Sequence, residues 1–272
     1  MKKIPLSIKM LAVTFGLIWL CICPALNPWL VDRMLFHPYT DVDKEKLAIV
    51  ENVHGRELAL KHGMSGWFYQ IPESKYVVLF SHGNAGNISH RIHKVANLLR
   101  CGQSVLIWDY PGFGNSKGHS SLKTIGDEAV SVYDSLISLG YKPNQVVLYG
   151  ESLGAGINSE ISQNRKVKAV IVDSGFTSLH EVAREKIPIF HLYPSFLLPP
   201  QAMKLKDSLK DIPCLIIHGQ KDFVIPYHNG VDLAAAAPKS KFISLPNSEH
   251  NFVTDEDTNT VQAALKEFFE RL

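Results

Sequence analysis

Six short apolar runs most constrain what this chain can become: Val77–Ser81, Val105–Trp108, Val146–Tyr149, Val167–Val172, Cys214–Ile217 and Lys241–Leu245. Each is too short for a helix, and most are rich in β-branched or aromatic residues, which reads as strand. Helical spacing appears between and after them. Ile125, Ala129, Val132, Tyr133 and Leu136 form a stripe that stops at Gly140. Val261, Ala264, Leu265, Phe268 and Leu272 form another, with Thr254 placed to cap it and Asp255, Glu256 and Asp257 suited to its first turn. Runs that are apolar throughout ask for cover on both faces, so the alternation predicts an α/β fold with a mainly parallel sheet and helices on each side. A chain of 272 residues, 46% of them hydrophobic, can bury one large core, commonly around an eight-stranded sheet. No internal repeat or low-complexity linker divides it.

The chemistry begins at Gly150-Glu151-Ser152-Leu153-Gly154, directly behind Val146–Tyr149. The outer glycines permit a turn tight enough to lift the Ser152 hydroxyl above the strand, with a helix starting near Ala155. The pattern alone also arises at ordinary strand-turn-helix junctions. A hydroxyl is a poor nucleophile at neutral pH, so Ser152 needs a base to take its proton and a third group to orient that base. Asp222 lies just past the Cys214–Gly219 segment, and His250 sits in the loop after Lys241–Leu245. Each of the three follows its own strand in the order Ser, Asp, His, the order expected when they meet above a parallel sheet. Asp173 also ends a strand and is the alternative acid, whereas Glu249 adjoins His250 too closely in a loop to face it. Donors for a developing oxyanion are expected at the same edge. Val77–Ser81 leads into His82-Gly83-Asn84-Ala85-Gly86-Asn87, and the backbone N–H groups of Asn84 and Leu153 are assigned as that pair.

These segments together resemble the α/β-hydrolase superfamily, and within it the small BEM46-like or ABHD13/ABHD17-like serine hydrolases. The resemblance also rests on Phe36-His37-Pro38, Gly66-Trp67-Phe68, Asp109-Tyr110-Pro111-Gly112-Phe113-Gly114-Asn115-Ser116, Asp173-Ser174-Gly175-Phe176-Thr177-Ser178, His218-Gly219-Gln220-Lys221-Asp222 and Ser248-Glu249-His250-Asn251, so it runs from about residue 34 to the C-terminus. It implies the α/β-hydrolase fold over residues 34–272, with Ser152 as nucleophile, His250 as general base and Asp222 as its orienting acid. Related members cleave carboxylic esters or thioesters, palmitoyl thioesters among them, without metal or organic cofactor. The chain departs from the lipase-type His-Gly-Gly-Gly pattern, since Asn84 follows Gly83. A serine peptidase of aminopeptidase type would use the same three residues on an amide, and a non-catalytic hydrolase-like scaffold at a membrane is the reading from a different class.

Other features bear on location and selectivity. Lys2, Lys3 and Lys9 precede the uncharged stretch Met10–Cys23. Residues 1–33 therefore read as an uncleaved transmembrane signal-anchor, with a cleaved export signal as the alternative, and the lysines place the catalytic domain on the non-cytoplasmic side. The formal charge of +2 is otherwise dispersed, which leaves no basic footprint for nucleic acid. The expected partners are a small-molecule or lipid acyl substrate and the membrane. Strand and helix alternation lapses between Phe176 and Pro213, where a short cap is expected over about 179–212. Its Ile187, Phe190, Tyr193, Phe196, Leu197 and Leu198 are equally suited to an acyl pocket and to plain packing. Cys101 and Cys214 read as isolated thiols, His90 and His93 as ordinary surface histidines, and Asp109 with the Pro111–Gly114 turn as support for the oxyanion loop.

Overall fold

A computed structural model describes residues 5–198, 203–250 and 253–272. Nine strands pair edge to edge in the spatial order β11 (Ser240–Leu245), β10 (Cys214–Gly219), β9 (Ala169–Asp173), β8 (Val146–Glu151), β5 (Val77–Ser81), β7 (Ser104–Trp108), β4 (Ser65–Tyr69), β3 (Val53–Ala59) and β2 (Ile49–Val50), numbered along the chain. From β11 to β7 all neighbours are parallel, and β4, β3 and β2 add an antiparallel margin. The expected eight-stranded sheet is therefore corrected to nine among the described residues. The margin escapes a search for apolar runs because β3 mixes half-buried and exposed residues and β2, at the edge, has only two residues. A separate two-residue pair joins β1 (His37–Pro38) to β6 (Ala85–Gly86).

The sheet is covered on both faces, and the period-two alternation of its strands decides which side chain goes where. Val77 and Leu79 belong to one apolar layer with Val132 of α4 (Ile125–Ser138), Ile157 of α5 (Leu153–Asn164) and Leu233 of α8 (His228–Ala236). Val78 and Phe80 belong to the other, with Val95 of α3 (Ile92–Arg100) and Leu265 of α9 (Asp255–Arg271). All nine of those aliphatic and aromatic side chains are nearly or fully buried, which stabilises the fold by roughly 1.5–3 kcal/mol for each. The helix ends follow their sequence signals. The Thr254 side chain accepts the Asp257 N–H at the start of α9, and Gly140, at φ 98°, takes the left-handed turn after α4.

After β5 the chain moves to β7 on one side and then returns to β8 on the other, so the loops leaving β5 and β8 diverge at the C-terminal edge of the sheet. This is the crevice where open α/β sheets bind ligands. Register fixes what meets there. Ser81 lies opposite Gly150, Glu151 opposite Asp173, and Gly219 opposite Leu245.

The N-terminal segment forms α1 (Leu6–Cys21) and α2 (Pro28–Leu35). The expectation of a spanning anchor is corrected: α1 has 16 residues, and no described helix is long and apolar enough to cross a membrane. At 1.5 Å per residue it measures about 24 Å against the ~30 Å of a hydrocarbon core, because Pro5 precedes it and a turn at Ile22 ends it. The cap consists of α6 (Leu179–Lys186), short 3-10 turns at Pro188–Leu192 and Ser195–Leu197, and α7 (Leu205–Ser208). Residues 199–202 of the expected cap lie outside the described residues. Phe190, Tyr193 and Leu198 are buried against Cys23, with Trp19 and Ile22 packed on them, so these cap side chains serve packing. Phe196, by contrast, is 80% exposed. All four cysteines are free, and burial pushes the thiols of Cys101 and Cys214 up to about 11 and about 12.

Candidate active site

β8 ends at Glu151 and α5 begins at Leu153, which leaves Ser152 alone at the corner. Its φ of 52° is left-handed, a conformation that costs a residue other than glycine about 1–3 kcal/mol and persists only where neighbours over-determine it. Those neighbours are visible. The Ser152 N–H donates to the Asp173 carbonyl at 2.8 Å, a Cβ on Gly150 would meet the backbone of Ala155, and one on Gly154 would run into the Ser81 carbonyl. The helix thus starts two residues before the expected Ala155. Leu153 becomes its first residue, where an N–H has no partner within its own helix.

Three distant segments converge on this corner. His250 Nε2 lies 2.9 Å from Ser152 Oγ, and His250 Nδ1 lies 2.7 Å from Asp222 Oδ2. All three side chains are buried. Asp222 is tied down from several directions: its Oδ1 accepts the N–H groups of Val224 and Ile225 at 2.9 and 2.8 Å, and His218 Nε2 stands 3.3 Å from Oδ2. Burial alone would raise its pKa. The hydrogen bonds from His218, His250 and the Ile225 N–H outweigh that and hold the carboxyl at about 2. An ionised Asp222 favours the His250 tautomer protonated at Nδ1, which leaves Nε2 to accept from the serine hydroxyl. In the sequence His218 reads as the end of a strand and as the head of the His218–Asp222 motif, with no role of its own. Its i,i+4 spacing from Asp222, across the turn that carries the acid, is the signal that sequence reading missed.

Asp173, the alternative acid, is committed elsewhere. Its Oδ2 accepts from Lys94 Nζ at 2.6 Å and from the Tyr149 hydroxyl at 2.5 Å. Lys94, buried on α3, also lies 3.2 Å from Glu151, which in turn pairs with Arg91 at 3.1 Å. Burial disfavours the Lys94 ammonium, but Asp173 and Glu151 more than compensate and raise its pKa. Glu151 is held well below the usual carboxylate range because Lys94 and Arg91 outweigh its own burial. This cluster joins the catalytic segments. Glu151 precedes Ser152, the Asp173 carbonyl holds the Ser152 N–H, and the Ser174 hydroxyl donates to the His250 carbonyl at 3.0 Å. Ser174 is itself left-handed, with φ 53°. Glu249 is exposed, and Asn251, part of the same motif, lies outside the described residues.

The loop after β5 is braced from below. The His82 ring stacks on Tyr110 with centroids 4.2 Å apart, Asp109 Oδ1 accepts the Ile88 N–H at 3.0 Å, and the Tyr110 hydroxyl donates to the His82 carbonyl. Asp109 and its turn therefore support the loop. Asn84 is half-buried, and its carbonyl accepts from the His37 N–H at 2.8 Å, which pins the residue whose N–H was assigned to the oxyanion. His90 closes a local cap by accepting the Asn87 N–H at 3.1 Å. His93 instead borders a cavity of about 440 Å³ with Lys94, Tyr149, Asp173 and Val261; neither Ser152 nor His250 lines it.

A family model described as serine aminopeptidase, S33, matches residues 72–193. The uncharacterized protein YfhR of Escherichia coli O157:H7 is 30% identical over 263 residues, 91% of this chain and 89% of that protein. The lysophosphatidylserine lipase ABHD12 of Xenopus tropicalis is 32% identical over 187 residues, which is 61% of this chain and 48% of the relative. Among solved structures, the Pyrococcus furiosus esterase Pf2001 superimposes with a TM-score of 0.65 at 17% identity, covering 87% of this chain and 98% of that one.

Proposed function

The chain belongs to the α/β-hydrolase superfamily, and on that premise we propose that it is a serine hydrolase that cleaves carboxylic esters or thioesters through an acyl-enzyme on Ser152. The observation that carries this reading is the unbroken hydrogen-bonded line from Ser152 Oγ through both ring nitrogens of His250 to Asp222. In the reaction Ser152 attacks the carbonyl carbon while His250 Nε2 takes its proton, and Asp222 stabilises the imidazolium. The carbonyl oxygen becomes an alkoxide beside the N–H groups of Leu153 and Asn84, where each donor typically contributes about a hundred- to a thousand-fold in turnover. His250 then returns the proton to the leaving oxygen or sulfur. Water, deprotonated by the same imidazole, clears the acyl group and restores the serine. The name of the ABHD12 relative supports a lipid ester as substrate.

The family description also favours a second reading, a serine peptidase of aminopeptidase type in which the same three residues cleave an amide bond beside a free amino group. A hydrolysis screen over p-nitrophenyl esters, acyl thioesters and aminoacyl amides of graded length separates the two. Ester or thioester turnover with inert amides supports the proposal, and the reverse pattern replaces it. A fluorophosphonate probe should label the protein and fail to label Ser152→Ala; equal labelling of both would overturn the assignment.

A further inference from the structure

α1 exposes apolar side chains around its whole circumference. Leu11, Phe15 and Ile18 lie on one side and Met10, Val13 and Leu17 on the other, and all are exposed, from 53% at Ile18 to 71% at Leu11. No residue of α1 is buried. A groove on a protein or a second copy of the chain would cover one side of such a helix. A helix apolar all round asks instead for an apolar medium on every side. Charge points the same way: Lys2 and Lys3 precede α1 in the sequence, Lys9 lies in its first turn, and no acidic residue precedes Asp32. That pattern suits the anionic headgroups of a lipid surface.

The far end of α1 does not run off into a tether. The Trp19 ring stacks on Tyr193 of the cap with centroids 4.7 Å apart, and the Tyr193 hydroxyl donates to the Trp19 carbonyl at 2.6 Å. Ala25 N–H donates to the Leu197 carbonyl at 3.0 Å, and Cys23 is fully enclosed in the same small core as Phe190 and Leu198. The cap is fastened in turn to the segment that carries the triad acid. Lys186 Nζ donates to the Phe223 carbonyl at 2.5 Å, one residue from Asp222, and Glu185 lies 3.4 Å from His228. Phe223 is 69% exposed, as are Leu192 and Phe196 of the cap at 54% and 80%.

We propose that α1 is embedded in a lipid bilayer and that the Trp19–Tyr193 clamp fixes the cap against that bilayer, so that the acyl substrate is drawn from lipid rather than from water. This rests on the serine hydrolase reading above. A rigid join differs from a flexible anchor. A tether only raises the local concentration of enzyme near the membrane, whereas a clamp also fixes the approach of the active-site mouth.

The test uses the full-length protein with vesicles of equal parts phosphatidylcholine and phosphatidylglycerol. The probes are p-nitrophenyl palmitate dissolved in the vesicles and p-nitrophenyl butyrate in water. The wild type should float with the vesicles and cleave both esters. Trp19→Ala should still float, because α1 keeps its apolar surface, and should retain butyrate turnover while losing about ten-fold on the vesicle ester. Absence of flotation, or an unchanged ratio of the two rates in Trp19→Ala, overturns the proposal. If circular dichroism shows that Trp19→Ala does not fold, Tyr193→Phe decides, since it keeps the ring and removes only the hydroxyl. A selective loss on vesicle ester supports the clamp, and an unchanged ratio ends it. Should the wild type cleave neither ester, fluorophosphonate labelling of Ser152 decides whether the hydrolase reading fails, and flotation still decides whether α1 binds lipid.

Discussion

Asp222 shows how one side chain can be set by what surrounds it. Two backbone N–H groups and two imidazoles converge on it, and together they keep a buried carboxyl ionised at about 2 against the penalty of burial. Because the folded pKa is depressed, its stabilisation is complete above the ordinary aspartate value of about 4 and disappears as pH falls through about 2. Asp222→Asn removes that dependence, so the urea midpoint of the variant should fall less than that of the wild type between pH ~4 and ~2. It also offers His250 the wrong hydrogen-bond partner at Nδ1. Ester turnover at neutral pH should then drop roughly a thousand- to ten-thousand-fold, with fluorophosphonate labelling slowed in parallel.

At the level of elements, the site is a junction between α3, β8, β9 and the loop after β11. Lys94 is the single cation of α3 that touches both Glu151 and Asp173, and those two carboxylates flank Ser152 and Ser174. A buried ion pair is a weak source of net stability, yet removing one partner leaves a charge stranded in the core. Lys94→Met should therefore destabilise the protein by about 3–5 kcal/mol in urea unfolding at neutral pH. The sign of its pH dependence is diagnostic. Burial alone would raise the Glu151 pKa and Lys94 is the foremost charge holding it down, so without the ammonium its folded pKa rises and the variant is penalised at neutral pH and relieved in acid. The gap between wild type and variant should narrow as pH falls from about 7 to about 4.

In the whole molecule, two apolar layers sandwich the sheet, while the N-terminal segment and the cap share a small third cluster of Cys23, Phe190, Tyr193 and Leu198. So small a cluster should open independently of the sheet. Hydrogen exchange should show amides of residues 19–25 and 188–198 exchanging well before those of β5 and β8, and equal protection in both regions would contradict the division. Much of this plan is written along the chain. Short apolar runs mark β5, β7, β8, β9, β10 and β11, and helical spacing marks α4 and α9, because each is a local pattern of side chains that must be hidden or wetted. The order of Ser152, Asp222 and His250 behind three strands is equally local. What the sequence could not contain was pairing between segments far apart: the pairing of the polar strand β3 with β4, the engagement of Asp173 by Lys94, and the docking of Trp19 on Tyr193. Residues 174 positions apart carry no periodic trace of each other, since their contact exists only once the sheet has fixed the distance between them. The sequence by itself determined which strands form and which residue types stand at their ends; only the tertiary structure decided which of those ends meet, because register and burial, not spacing, bring a proton acceptor within reach of a hydroxyl.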